Sequence, residues 1–135
     1  MITAHDFADY IECYTSRDYT RLAERWYTAS VEYEGFGTIQ GIDNVLEYFR
    51  STLHRGQREK YSINRLAIDG ATVGVELGID RTYTESMEAP LGWVAPGDRY
   101  SIRLLGVYSL VGDRIDRVSL ARLSAVRLPS ATQSG

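Results

Sequence analysis

Arg81, Tyr83 and Glu85 form a closely spaced group of side chains that could carry out acid–base chemistry. They lie at alternate positions and continue the apolar face of residues 73–79, so a strand through them would turn all three toward one side. A carboxylate beside apolar surface has a raised pKa, which suits a general acid or base near neutral pH. The arginine could keep that carboxylate ionised or bind an anionic group of a substrate. The alternative is that the strand runs past the core and the three side chains are solvated, and the pattern does not decide which of them points inward.

Two tyrosines and a histidine are further candidates for proton transfer. Tyr14 lies on the apolar face of the predicted first helix, and Tyr33 lies in a short predicted strand. A buried phenol can donate a hydrogen bond to developing negative charge or act as an acid, but both could equally be core tyrosines bonded to backbone. His54 follows the predicted third helix and could shuttle protons near neutral pH, the alternative being a cap or an exposed residue. The predicted catalytic set is Tyr33, His54, Arg81 and Glu85.

The composition argues against several other kinds of protein. The 135 residues carry a net charge of -3 and the 15 Lys and Arg residues are scattered, which does not favour a nucleic-acid or anionic-membrane surface. No apolar run approaches the roughly 20 residues of a membrane helix, and the first residues lack the pattern of a secretory signal. Cys13 is the only cysteine, so an intrachain disulfide is impossible and a zinc cluster is not expected. We therefore expect a cytoplasmic protein without a structural metal.

The N-terminal part of the sequence predicts three helices and one short strand. The apolar residues of positions 6–14 share one helical stripe, and a second short helix contains Trp26. Residues 31–34 have the composition of a brief strand. A third helix opens at Gly41 and ends near Gly56, where a glycine can adopt the left-handed capping conformation.

The C-terminal part has the period of two that is typical of strands. Its predicted elements are a strand over 59–68, a turn at Asp69-Gly70, a strand over 72–84, a loop over 86–97 around Trp93, and two long strands within 97–123 joined at Gly112-Asp113. Strands grouped after helices predict an α+β fold, in which a strongly bent antiparallel sheet and the helices enclose a pocket. We assign residues 1–128 to a single domain and expect residues 129–135 to be a disordered tail.

Four short segments identify a relationship to known proteins. They are Arg17-Asp18, Val31-Glu32-Tyr33, Gly41-Ile42-Asp43-Asn44-Val45, and the strand from Gly97 to Tyr108. In sequence and order they resemble the NTF2-like superfamily, in the branch of SnoaL-like polyketide cyclases, ketosteroid isomerases and limonene-epoxide hydrolases. The last segment is most similar to the corresponding strand of the epoxide hydrolases. These motifs indicate the fold better than the reaction, because one cone hosts many reactions.

The resemblance implies a small protein without a cofactor, usually a homodimer, with a deep hydrophobic pocket inside a cone. The pocket would take a small hydrophobic substrate, and the dimer would form through the outer face of the sheet, where Glu76 and Asp80 lie. Besides the catalytic set, the residues expected to bind substrate are Tyr14, Trp26, Tyr83, Trp93, Ile102, Leu104, Tyr108, Leu120 and Arg122.

The chain departs from two catalytic sets of this branch. Tyr33 stands where the ketosteroid isomerases have an aspartate base, and Gly106 lies near the position of their second, protonated aspartate. The epoxide hydrolases activate water with an Asp-Arg-Asp set. Arg81 could be that arginine, but Leu120 lies near the position of the second aspartate. Neither activity transfers intact.

The sequence therefore predicts an enzyme that acts on a bulky, apolar small molecule. The leading hypothesis is a cyclase or isomerase of natural-product biosynthesis that closes a ring by acid–base catalysis, for example by opening an epoxide. Loss of the water-activating set favours an internal nucleophile over water. The alternatives are an epoxide hydrolase-like or dehydratase enzyme, a non-catalytic small-molecule-binding protein, and a structural dimer adaptor.

Overall fold

The computed structural model describes residues 2–35, 37–89 and 91–129, which form short helices and two sheets. The helices are α1 (Ala4–Thr15), α2 (Tyr19–Arg21) and α3 (Ile42–Tyr48), and α2 and α3 continue into wider π-type turns over Leu22–Trp26 and Phe49–Leu53. The strands are β1 (Tyr27–Glu34), β2 (Thr38–Gln40), β3 (Gln57–Asp69), β4 (Thr72–Tyr83), β5 (Met87–Ala89), β6 (Gly92–Val94), β7 (Arg99–Val111) and β8 (Arg114–Leu128).

Helix α1 forms where the sequence supplies both a cap and an apolar stripe. The Thr3 hydroxyl accepts a hydrogen bond from the Asp6 backbone N–H, and the Asp6 carboxylate accepts one from the Thr3 N–H. This reciprocal capping box satisfies two backbone donors at the start of the helix. Phe7, Tyr10 and Tyr14 are buried on one face, so the predicted first helix is confirmed.

The two later helices are shorter than predicted because each passes into a π-type turn. Asp18 caps α2, the following turn ends at Trp26, and Tyr27 already belongs to β1. Gly41 precedes α3 as predicted, but the regular helix ends at Tyr48. The wider turn that follows keeps the last predicted apolar positions of this helix next to the core.

The main sheet has six strands in the order β2-β1-β8-β7-β4-β3 and is curved. The sequence predicted an antiparallel sheet, and this is correct for all pairs but one. Strands β1 and β8 run parallel, with the whole of the intervening chain as their connection, so the sheet is mixed. Parallel strands need a long crossover connection. The chain between β1 and β8, which includes α3 and three long strands, is long enough to provide it.

The register of β3 against β4 contains one extra residue, Asn64. The predicted turn is confirmed, with Gly70 at a φ of 58°, a conformation that favours glycine. Counted from that turn without interruption, Lys60 would lie opposite Arg81. The bulge at Asn64 shifts the pairing by one position and brings Glu59 opposite Arg81 instead.

The predicted loop over 86–97 contains a small hairpin, which corrects the sequence-based assignment. Strands β5 and β6 pair as a separate two-stranded sheet. Ala89 and Val94 are buried there against Tyr83, Tyr100 and Ile102, in a cluster apart from the main core. The few apolar residues of this segment become buried when the two short strands pair. The Pro and Gly residues of the segment hide this pattern in the sequence.

The main core lies between the helices and the concave face of the sheet. The opposite face leaves several apolar side chains exposed, namely Leu105, Val107, Leu123 and Val126. Among the described residues, no helix is long and apolar enough to cross a membrane. The predicted disordered tail lies outside the described residues from position 130 onward.

Candidate active site

The curved sheet, the turn after α3 and the β5–β6 hairpin surround a cavity of about 450 Å³. The wall is largely apolar, with Ile79, Ile102, Leu104 and Leu120 contributed by three adjacent strands. The polar side chains on the wall include Tyr14, Tyr33, Tyr48, Gln57, Tyr61, Arg81, Tyr83, Glu88 and Arg122. A mostly apolar cavity with a few polar groups is the usual form of a site for a small organic molecule.

Tyr33 is a buried tyrosine of the cavity wall whose hydroxyl is free to bind a ligand. Its ring packs edge-on against Phe49, with the ring centroids 5.3 Å apart, and the residue is only 5% exposed. Its hydroxyl has no hydrogen-bond partner among the described residues. Burial, together with the neighbouring tyrosine Tyr61, raises the pKa of Tyr33 well above its ordinary value. The phenol is therefore protonated at neutral pH and available as a donor.

Arg81 and Glu59 form a buried ion pair at the side of the cavity. Arg81 Nη2 lies 2.6 Å and Nε 3.0 Å from the same carboxylate oxygen, Glu59 Oε2. The Arg81 and Glu59 side chains are 13% and 5% exposed. Burial acts to lower the pKa of Arg81, but the charge and hydrogen bonds of Glu59 outweigh it and the pKa is raised. The guanidinium is thus held ionised and oriented, and its Nη1 has no partner among the described residues.

Tyr61 links this ion pair to the tyrosines of the cavity. Its hydroxyl donates to Glu59 Oε2 over 3.5 Å, and its ring packs edge-on against Tyr14 at 5.5 Å. Burial, and next the Glu59 charge, raise the pKa of Tyr61 well above the ordinary value. Burial likewise raises the pKa of Tyr14. Arg81, Glu59, Tyr61 and Tyr14 therefore form a contiguous polar cluster in an apolar wall.

Sequence analysis missed Glu59 and Tyr61. Both occupy the inner face of β3, where the alternation of residues 57, 59, 61 and 63 could have indicated them. Their significance depends on the register against β4, which the bulge at Asn64 changes. Glu59 therefore takes the place that the sequence assigned to Glu85 as the carboxylate beside Arg81.

Glu85 and Trp93 do not lie in the cavity, which corrects two predictions. Glu85 follows the end of β4 and its side chain is 49% exposed, with Oε1 3.3 Å from Arg55 Nε. Trp93 is 75% exposed on the outer side of the β5–β6 hairpin. Strand β4 ends at Tyr83. The alternation of inward and outward side chains therefore does not extend to Glu85.

His54 and Trp26 are buried behind the cavity and do not line it. His54 Nδ1 is 2.7 Å from the Tyr19 hydroxyl, and its ring packs edge-on against Tyr14 at 4.9 Å. Burial, and then the charges of Arg17 and Arg81, lower the pKa of His54 to about 4, so it is neutral at pH 7. These contacts place His54 as support for the Tyr14 ring. Trp26 packs against Tyr10 in the core.

The other predicted substrate-binding residues lie on or next to the cavity. Tyr14, Tyr83, Ile102, Leu104, Leu120 and Arg122 line it. Tyr108 lines a small void of about 10 Å³ that shares five wall residues with the cavity. Deeper still, the Tyr10 and Tyr27 hydroxyls are 2.5 Å apart in the core. Among the described residues, no group of three or more His, Cys, Asp or Glu side chains could hold a metal ion.

Comparison with known proteins identifies the fold. The sequence matches no protein-family model and no curated protein. The structure resembles a SnoaL-like polyketide cyclase from Agrobacterium tumefaciens, with a TM-score of 0.68, 18% identity, and coverage of 90% of this chain and 92% of that one. An LEH-like epoxide hydrolase of M. tuberculosis aligns with a TM-score of 0.63 at 18% identity over 82% of this chain and 74% of that chain.

A third solved structure shows the same architecture without a known activity. It is an NTF2-like protein from Cytophaga hutchinsonii, with a TM-score of 0.62, 15% identity, and coverage of 90% of this chain and 91% of that one. The chain therefore has the NTF2-like α+β fold, and the predicted fold class is confirmed apart from the parallel β1–β8 pair.

Proposed function

We propose that the protein is a cofactor-independent cyclase or isomerase that closes a ring in an apolar small molecule by acid–base catalysis. The observation that carries this proposal is the buried polar cluster in an otherwise apolar cavity of about 450 Å³. Buried donors in a water-poor cavity stabilise developing charge more strongly than the same groups do in water. A SnoaL-like polyketide cyclase and an LEH-like epoxide hydrolase share the fold, which supports this class of chemistry.

The proposed step transfers one proton at each end of the reacting bond. Tyr33 donates its proton to the oxygen that leaves, for example when an epoxide opens, and Arg81 Nη1 stabilises the charge on that oxygen. At the other end, the nucleophile of the same molecule gives its proton to the Tyr61 oxygen as Tyr61 passes its own proton to Glu59. Because the pKa of Tyr61 is raised, its two transfers occur together and Tyr61 does not become a free phenolate. Tyr33 ends the step as a phenolate and Glu59 as a carboxylic acid. The site is reset through solvent after product release.

The apolar wall favours an internal nucleophile over water. Ile79, Ile102 and Leu104 lie on adjacent strands and would hold the substrate folded against the polar cluster. Holding two reacting groups of one molecule in contact can contribute many kcal/mol to the rate without a covalent step. His54 and Glu85, which the sequence placed in the catalytic set, have no part in this step because neither lines the cavity.

The first experiment is incubation of the pure protein with hydroxylated epoxides and polyketide-like enones, followed by mass-resolved chromatography. A product of unchanged mass supports cyclisation or isomerisation. A product heavier by one water would instead make the protein a hydrolase, and one lighter by one water a dehydratase. Ligand-dependent thermal stabilisation without any new product would indicate a non-catalytic binding protein.

Replacement of Tyr33 by Phe tests the assignment of the acid. We expect kcat to fall roughly 100-fold or more with little change in Tm, because the Tyr33 hydroxyl has no protein partner to lose. Tyr27→Phe is the matched control, since it removes a buried hydroxyl that is bonded to Tyr10 but lies off the cavity. That variant should lose stability and keep kcat. Equal kcat for Tyr33→Phe and wild type would remove Tyr33 from the mechanism.

Assembly through the outer face of the sheet stays a prediction. The exposed apolar side chains of that face, Leu105 and Val107 on β7 and Leu123 on β8, would be covered in such a homodimer. Sedimentation analysis of Val107→Lys tests this, because a charge at the centre of a dimer interface should shift the protein to monomer. An unchanged mass would place any interface elsewhere.

A further inference from the structure

The cavity wall carries one positive charge more than the neighbouring carboxylates neutralise. Arg81 is paired with Glu59, whereas Arg122 lines the cavity from an exposed position and has neither an ion pair nor a hydrogen bond among the described residues. Glu88 also contributes to the wall but lies directly opposite Trp93 in the β5–β6 hairpin. Like Trp93, Glu88 is exposed, and its carboxylate forms no ion pair with Arg81 or Arg122 among the described residues.

The free polar groups of the wall are mainly donors. Arg81 uses Nε and Nη2 on a single oxygen of Glu59, which leaves Nη1 without a protein partner. A bidentate pair would have used both carboxylate oxygens, whereas here both nitrogens contact Oε2. Tyr33 adds a protonated hydroxyl, and Arg122 adds a complete guanidinium. Such a wall matches a ligand rich in acceptor oxygens.

The two arginines lie at opposite sides of an apolar strip. Arg81 pairs with Tyr100 of β7, and Arg122 pairs with Leu104 of the same strand. Their backbones are therefore separated by four residues along the sheet, about 13 Å, and by two strands across it, about 10 Å. Leu104 and Ile102 line the cavity between them. A molecule seated there would have an apolar body between two cationic groups.

We infer that the cavity takes an apolar molecule carrying one ionised carboxylate, with Arg122 as its counter-charge and Arg81 Nη1 as donor to a second oxygen. This inference deepens the proposed function, on which it rests, by naming the substrate class of the same cavity. Arg122 balances the ligand charge, while Glu59 continues to balance Arg81, so the loaded cavity is neutral. With a neutral polar group in its place, the exposed Arg122 guanidinium would keep only water as its partner.

Calorimetric titration with 2-naphthoate and 2-naphthamide tests the inference, because the two probes have the same shape and differ in charge. We expect the wild type to bind the acid about tenfold tighter than the amide at low salt, with a smaller preference at high salt. Arg122→Met should reduce the preference to about twofold or less. Arg127→Met is the matched control, since Arg127 lies on the same strand but pairs with Asp98 away from the cavity.

Three results would overturn the inference: equal affinity of the wild type for both probes, binding of neither probe, or the same loss in Arg127→Met as in Arg122→Met. Its failure can be told apart from failure of the proposed function. If the protein binds the acid selectively but converts no carboxylated member of the substrate panel, the inferred ligand class stands and the proposed enzymatic activity does not. If the protein converts neutral members of the panel and shows no preference for carboxylates, the proposed enzymatic activity stands and the inferred ligand class does not.

Discussion

Two carboxylates of the β3–β4 ribbon, one on each face of the sheet, are neutralised by arginine. On the outer face, Glu76 accepts from Arg65 at 2.7 Å, from Arg103 at 3.3 Å and from Asn64 at 3.2 Å. The arginines there are 76% and 50% exposed. On the inner face, Glu59 has Arg81 as its one ion-pair partner among the described residues, and both side chains are largely buried.

The difference separates a structural role from a chemical one. Glu76 is surrounded by donors from both flanking strands, and its hydrogen bonds, first that of Arg65, lower its pKa to about 2. Its capacity is fully used, which suits a cross-strand clamp. The inner pair leaves one guanidinium nitrogen and the second carboxylate oxygen without partners in the part of the chain that the structure describes. A buried pair of this kind contributes little net stability, so its presence in the cavity is better explained by what it can bind.

The strongest way to break this comparison is to remove the inner arginine. Arg81→Met leaves Glu59 buried without a counter-charge and should lower the free energy of unfolding by about 3–5 kcal/mol. The double variant Glu59→Leu, Arg81→Met should recover most of that loss, because well-packed apolar residues often replace a buried ion pair at no cost. Urea denaturation of the three proteins measures both effects. A double variant as unstable as the single one would show that the pair itself stabilises the fold.

His54 contrasts with the two carboxylates, because this buried titratable group has no partner of opposite charge among the described residues. With a pKa of about 4 in the fold and about 6.5 when unfolded, it is protonated first in the unfolded chain as the pH falls. Stability should therefore fall as the pH drops below 6.5 and level off below about 4, by on the order of 2–3 kcal/mol. The free energy of unfolding, measured by denaturation at several pH values in this range, should depend less steeply on pH in His54→Gln than in the wild type. Identical slopes would mean that His54 is protonated in the fold.

Glu76→Gln should give the smallest effect, because its arginines are solvated. Its folded pKa of about 2 lies below the unfolded value of 4.5, so the carboxylate stabilises the fold above pH 4.5, and this contribution disappears as the pH falls toward 2. The difference in urea midpoint between wild type and variant should shrink over that range and also at high salt. A difference that does not depend on pH would point to lost packing instead of lost charge.

Much of the fold could be predicted from periodicity. The apolar stripe of α1, the glycine before α3 and the turn at Gly70 each have a local cause and are found where they were predicted. The parallel pairing of β1 with β8 depends on contacts between opposite ends of the chain, which no local pattern records. The hairpin over 87–94 was taken for a loop because its strands are only three residues each.

The candidate site was predictable only in part. Tyr33 and Arg81 lie on regular stretches of strand, where alternation assigns the correct face. Glu85 lies beyond the end of β4, where alternation no longer holds, and Glu59 is displaced by the bulge. The sequence therefore identified the arginine of the cluster but not its carboxylate partner.

The extra residue in β3 also has an evolutionary consequence. If Asn64 were deleted with the Gly70 turn held in place, the upstream part of β3 would turn over, and Lys60 would face Arg81 in place of Glu59. One missing codon would thus replace the carboxylate beside Arg81 with an ammonium group, while every other residue of the chain stayed the same. For this cavity, the insertion or deletion of one residue in β3 changes which side chains face inward at several positions, whereas a point mutation changes only one side chain.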